Sequence, residues 1–199
     1  MENQKKKFMQ MQRDCAFFRG SFIHYMTIME MVIDNTLIEY FCPDSDERQM
    51  ELRLVLFDTE KSTLAQKYKM LSFIFQRHYN EFNEKYNFKP KNKKRKKYHE
   101  DSLDKKVADL IELRNIFAHR KLYIGENSVA NYDGKALYLD ALVASKGELI
   151  PDKLLLNDEF NKIHSERIAE VNNILFELYQ LVSKKRKGDQ EAVPPSQAD

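Results

Sequence analysis

The sequence predicts an all-α protein, and three observations carry that prediction. Thirteen Phe, ten Tyr and eight Met stand against five Gly and no Trp in 199 residues, which suits long helices packed through aromatic side chains better than a turn-rich β architecture. Apolar residues recur at three- and four-residue spacing over several long stretches. Helix start and stop signals bracket those stretches. With 42% hydrophobic and 32% charged residues, the chain has material for one sizeable core. Residues 1–187 read as a single domain, a bundle of four long helices with a short extra helix and a small β-hairpin insertion before the last helix.

From Phe18, the positions Phe22, Tyr25, Met26, Met29, Val32, Ile33, Leu37 and Tyr40 follow the spacing of an amphipathic helix that Pro43 stops. Although this is the most apolar part of the chain, Arg19, His24, Glu30, Asp34 and Glu39 interrupt it, and a membrane span needs about 20 mostly apolar residues. It reads as a core helix, with no membrane partner. The start Met1-Glu2-Asn3-Gln4, followed by three lysines, lacks the apolar run of a secretory signal, so the expectation is a cytoplasmic, reduced protein. Cys15 and Cys42 would lie roughly 40 Å apart on a continuous helix, too far for a disulfide.

A short helix is expected over Glu47–Phe57, after which Thr63 and Gln66 have capping-box spacing. The second long helix carries Leu64, Tyr68, Leu71, Phe75, His78 and Phe82 on one face and should end near Tyr86. Residues 88–100 form a lysine-dense loop punctuated by Pro90. Asp101 or Ser102 can cap the third helix, which runs through Leu103, Val107, Leu110, Phe117 and Leu122 toward Gly125. Residues 128–145 alternate apolar and polar side chains around Asp133-Gly134, a favoured turn dipeptide, and read as a two-stranded hairpin. Asn157 can cap the last helix, which carries Phe160, Ile163, Val171, Ile174, Leu178 and Leu181 to a basic end at Lys184–Lys187. Residues 188–199, with Pro194-Pro195, read as a disordered tail.

Net charge is only +2, yet Lys89, Lys91, Lys93, Lys94, Arg95, Lys96 and Lys97 form one run and Lys184–Lys187 supply four more cations; removing those eleven leaves the remainder at −9. Local positive charge of this kind is what a polyanion senses. Lys93, Lys94, Arg95, Lys96, Lys97 and also Arg120 are therefore candidate RNA-binding residues, clustered cations being phosphate binders. Such a run also serves as an ordinary solvated loop.

The third helix holds the chemically loaded segment, Leu113-Arg114-Asn115-Ile116-Phe117-Ala118-His119. Measured from Leu110, a 100° turn per residue places Arg114, Phe117 and Ala118 on the core-facing side and Glu112, Asn115 and His119 on the far side, in an outer half shared with Leu113 and Ile116. Apolar residues beside a His, an Asn and a Glu on an outer surface point to a second body packed there, and a symmetric dimer supplies one. The guanidinium of Arg114 can hold a phosphate bidentately, while the imidazole of His119 titrates where it can give or take a proton. A core arginine can equally pair with an acid such as Asp34 or Glu39 and fix packing. Five residues separate Arg114 from His119, about 140° on a regular helix. Convergence on one phosphate therefore needs a distortion near Ala118 or a partner protomer.

Arg114-Asn115-Ile116-Phe117-Ala118-His119 resembles the signature of the HEPN superfamily, an Arg, a polar neighbour and a His a few residues on. The resemblance extends to layout over residues 10–186, since HEPN domains are helical bundles with the signature late in a long helix. It implies a metal-independent endoribonuclease that cleaves RNA through its own 2′-hydroxyl without a cofactor. The two signatures would face a shared cleft in a homodimer formed through the Arg114–His119 helix. It implies Arg114 and His119 as catalytic groups, with Asn115 orienting the imidazole or touching RNA; Glu112 is a weaker supporting candidate added from its position. It also implies a toxin or antiphage-defence effector and, for a toxin, a cognate antitoxin protein. The alternative is a non-catalytic HEPN-like dimer that binds a protein or nucleic acid.

No other chemistry competes. His24, His78, His99 and His164 form no zinc-spaced set with Cys or carboxylates, and neither a phosphate-binding glycine loop nor a Gly-x-Ser-x-Gly elbow occurs.

Overall fold

The computed structural model describes residues 2–57, 62–86, 90–92, 97–98, 102–125, 127–145 and 148–191, with backbone alone at 90–92, 97–98, 142–145, 148–151 and 185–191. In chain order the elements are α1 (Glu2–Phe41), α2 (Asp46–Leu52) running into a π-helical turn (Arg53–Phe57), α3 (Leu64–His78), α4 (Asn80–Lys85), β1 (Pro90–Asn92), β2 (Lys97–Tyr98), α5 (Leu103–His119), β3 (Lys121–Leu122), β4 (Ala136–Ser145), β5 (Glu148–Asn157) and α6 (Asp158–Glu191). The fold is mostly helical, with a small antiparallel sheet in the order β3-β4-β5 and a short β1-β2 ladder. Among the described residues no helix is long and apolar enough to cross a membrane. The chain divides into two compact units, Met1–Met26 with Glu112–Ala169 and Thr27–Ile111 with Glu170–Asp199.

The caps expected at Thr63, Ser102 and Asn157 form. Thr63 and Gln66 close a reciprocal capping box, Ser102 accepts from the Lys105 N–H at 3.2 Å, and Asn157 accepts from the Phe160 N–H at 2.8 Å. Ser45 adds a fourth at the start of α2, accepting from the Arg48 N–H at 3.2 Å. Each satisfies an amide that a helix start otherwise leaves open. Cys15, within α1, and Cys42, just past its end, are both free thiols.

Several boundaries differ from the sequence-based expectation. The second long helix is two, because Tyr79 leaves helical geometry at φ −133°, ψ 64°, and His78 is exposed rather than on the core face. Residues 88–100 are not all loop, since Pro90–Asn92 pairs with Lys97–Tyr98. The third helix ends at His119 instead of running toward Gly125: Lys121 and Leu122 pair with Asp140 and Leu139, so strand partners outweigh the helical spacing of Leu122. The hairpin is also displaced. Residues 127–131 are turn, Asp133-Gly134 makes the entry to β4 with Gly134 at φ +85°, and β4 pairs instead with 148–157. Pro151 is tolerated within β5 because that strand lies at the sheet edge, where a missing N–H breaks no ladder. At the C-terminal end α6 runs on to Glu191, past the expected boundary at 188.

In the second unit, the core of Met29, Ile33, Leu37, Leu71, Phe75 and Leu110 encloses two polar clusters. Lys67, 2% exposed, donates to Glu30 Oε1 at 2.8 Å, Asp34 Oδ2 at 2.9 Å and the Phe57 carbonyl at 3.0 Å. The second cluster sits in the first turn of α5, where Asp104 Oδ1 accepts from the Tyr68 hydroxyl at 2.8 Å and the Ser72 hydroxyl at 3.1 Å. Burial raises the Asp104 carboxyl above its ordinary value against those two hydrogen bonds. A carboxyl whose folded pKa is raised contributes stability that is complete below the unfolded value and is lost as pH climbs through the raised one. Asp104→Asn keeps an acceptor for both hydroxyls and removes the buried charge. Denaturant unfolding at two pH values should show a change within about 1 kcal/mol, with the variant gaining on the native chain above the ordinary carboxylate range. Asp104→Leu strands both hydroxyls and should cost about 1–3 kcal/mol.

Candidate functional site

The Arg114–His119 segment occupies the last turns of α5, within the first unit. Leu113 and Phe117 are buried at 8% and 3% exposure, Arg114 and Ile116 are half-buried, and Glu112, Asn115, Ala118 and His119 are exposed. Two placements correct the sequence reading. Leu113, assigned above to the outer half, lies three residues beyond Leu110, only about 60° away, and stays on the buried stripe. That stripe then drifts toward Leu113 and Phe117, which leaves Ala118 about 120° from its centre and therefore exposed.

The same drift explains the polar side chains. Asn115 lies roughly opposite the stripe, with His119 about 40° and Glu112 about 60° round from it on one side, so three polar groups share one exposed face at i, i+3 and i+7. Arg114 stands about 80° from the stripe, its stem half-covered. Among the described residues neither Arg114, Asn115, His119 nor Glu112 makes a side-chain hydrogen bond or ion pair. Asp34, offered above as a partner for a core arginine, is paired with Lys67.

Helical hydrogen bonding continues to the end of the segment, with the Arg120 N–H on the Ile116 carbonyl at 2.9 Å. No distortion occurs near Ala118, so Arg114 and His119 keep their separation of about 140° within one chain.

The chain is clamped immediately past the motif. The Arg120 guanidinium pairs with the Asp152 carboxylate on β5 and reaches its carbonyl at 3.4 Å. The Arg120 carbonyl in turn accepts from the guanidinium of Arg19 on α1. Arg120, expected from the sequence to bind RNA, is thus occupied in tying the helix end to the sheet. Phe117 anchors the turn from below, stacked on Phe22 at 4.7 Å and 15° and set 6.1 Å from Phe160, whose ring lies 4.1 Å from His164. His164 is accordingly a packing residue whose pKa burial lowers, helped by Arg167. Beside Arg19, burial pushes the Cys15 thiol up despite the cation.

Arg19 was missed by sequence reasoning, although a charge within the apolar run of α1 was a visible signal; Asp152 gave none. Arg19→Met should leave the last carbonyl of the α5 exit unpaired and cost about 1–3 kcal/mol. Amide hydrogen exchange should then accelerate at residues 116–120 ahead of the rest of α5.

Lys93, Lys94, Arg95 and Lys96 lie outside the described residues, and of Lys97 only the backbone is described, in β2 opposite Asn92. Among the described residues no group of three or more His, Cys, Asp or Glu is placed to hold a metal ion. No protein-family model matches the chain, and no curated protein and no solved structure is significantly similar to it.

Proposed function

We propose that the chain is a HEPN-like helical domain acting as a homodimeric, metal-independent endoribonuclease, with Arg114, Asn115 and His119 at its centre. The observation that carries this reading is the exposed imidazole of His119, without a side-chain partner among the described residues, at the anchored end of an unbroken helix. A histidine kept for packing would be covered, as His164 is covered by Phe160.

In the reaction proposed, the 2′-oxygen bonds to phosphorus as its proton leaves, and the P–O5′ bond breaks as the 5′-oxygen gains a proton. His119 serves one of those transfers, and Glu112 on the same face supports the other. Arg114 balances the charge that builds on the phosphoryl oxygens, and Asn115, one helical turn from His119, orients the imidazole or touches RNA. Since one regular helix aims Arg114 and His119 about 140° apart, Arg114 of one protomer meets His119 of the other across a two-fold interface built on the outer face of α5. A toxin or defence role, with a cognate antitoxin protein, belongs to the same reading.

The test is cleavage of RNA by purified protein in EDTA, with His119→Ala as the control: loss of cleavage in the variant supports the reading and undiminished cleavage removes it. Intact RNA, with a dimer that dissociates on Arg114→Ala, would instead identify the non-catalytic HEPN-like dimer, in which the same residues hold an interface.

A further inference from the structure

The outer face of the β3-β4-β5 sheet begins two residues after His119, and its side chains are sorted by register. Leu137, Leu139 and Leu156 turn inward and are almost fully buried. On the opposite face Lys121, Asp140 and Lys153 form one cross-strand row. In the next row Tyr138 stands opposite Leu155 and takes the Tyr123 N–H on its carbonyl at 2.8 Å. Tyr138 is 41% exposed, and the Lys153 ammonium sits 3.7 Å from the centre of the Tyr123 ring.

Tyr123, Tyr138 and Ala136 floor an open groove of about 900 Å³ whose wall carries the exposed amides of Asn127 and Asn131. Ile124 and Gly125 also line a second groove, of about 820 Å³, with Lys5 and Phe8 from the start of α1. Beside that groove the Lys7 ammonium is held on the Ala130 carbonyl at 2.7 Å.

We infer that these grooves hold a single-stranded segment of RNA and lead it toward His119; the inference rests on the reading of the chain as acting on RNA. Two neighbouring grooves that share Ile124 and Gly125 suit an elongated, chain-like ligand better than a compact one. Tyrosine rings offer stacking faces for unpaired bases, exposed amides offer donors and acceptors to base edges, and Lys5, Lys7 and Lys153 offer cations to the phosphates. Base edges and faces are within reach only where a strand is unpaired, which selects single-stranded over duplex RNA. Glu2 and Asp133 also line the grooves, one in each, and Asp140 stands between Lys121 and Lys153. Stacking therefore outweighs charge here, in contrast to the lysine run at 89–97.

Binding is read by fluorescence anisotropy with the full-length His119→Ala chain, so that no cleavage is needed, and a labelled single-stranded RNA of about eight nucleotides. Tyr138→Leu should weaken binding roughly 5- to 100-fold, while Tyr138→Phe, which keeps the ring, should bind as the parent does. Duplex RNA of the same sequence should bind at least about tenfold more weakly. The slope of log affinity against log salt should stay near about −2, the value for about three phosphates on a single strand. Unchanged binding in a folded Tyr138→Leu, or duplex bound as tightly as single strand, overturns the groove. If wild-type protein cuts no RNA but the Tyr138 pattern holds, the groove stands and the nuclease reading falls; if it cuts and Tyr138 is indifferent, the groove alone falls.

Discussion

Replacing Lys67 with methionine is expected to cost the fold about 3–5 kcal/mol, the range for removing one partner of a buried ion cluster. The cost arises less from lost attraction than from what is left behind. All three donors of the ammonium are used, on Glu30, Asp34 and the Phe57 carbonyl, and Asp34 Oδ1 already has no partner. Without the cation a carboxylate and a carbonyl are stranded in a site that excludes water. Burial alone would lower the Lys67 pKa, but the hydrogen bonds and charges of Glu30 and Asp34 outweigh it and hold it above the ordinary lysine value. A raised lysine contributes stability that is present below its unfolded pKa and lost only as pH rises through the folded one, so the contribution is complete at neutral pH. Urea unfolding at pH 7 should show the loss. Adding Asp34→Leu and Glu30→Gln to Lys67→Met should restore most of it, because the three side chains act as one unit. A Lys67→Met chain as stable as the parent would mean that the cluster contributes nothing net.

That cluster also shows what was legible in the sequence and why the rest was not. Lys67 falls between Leu64, Tyr68 and Leu71 on the buried face of α3, so its position in the stripe was a readable anomaly. Its two charged partners lie more than thirty residues earlier, on α1, where local spacing carries no information about them. Caps were legible at Thr63, Ser102 and Asn157 because each is satisfied within three or four residues of itself. The ends of elements were not, since β3 ends α5 early and β5 replaces the expected first strand, and both arise from pairing across sequence distance. The exposure of Glu112, Asn115 and His119 was legible from helical period alone, whereas Arg120 changed meaning once Asp152 and Arg19 met it.

The sharpest expected result on activity comes from mixing two inactive variants. His119→Ala should lower RNA cleavage about 10²- to 10⁴-fold, the usual contribution of a proton-transfer group, and Arg114→Ala about 10²- to 10³-fold, as for a lost charge-stabilising donor. Both side chains are solvent-accessible or half-buried without partners among the described residues, so each variant should fold with little change in thermal stability. Residue placement on α5 then decides what happens when the two are co-folded. If one chain supplied both groups, every site in every dimer would lack one of them and the mixture would stay inactive. If each site takes its guanidinium from one protomer and its imidazole from the other, every mixed dimer contains one intact site, and the mixture should regain roughly a quarter of wild-type activity. The unbroken helix through Ala118 makes the second outcome the expected one, because nothing within a single α5 brings the two groups onto one phosphate. A mixture as inactive as its parts, from variants that still dimerise, would put the composite site out of contention.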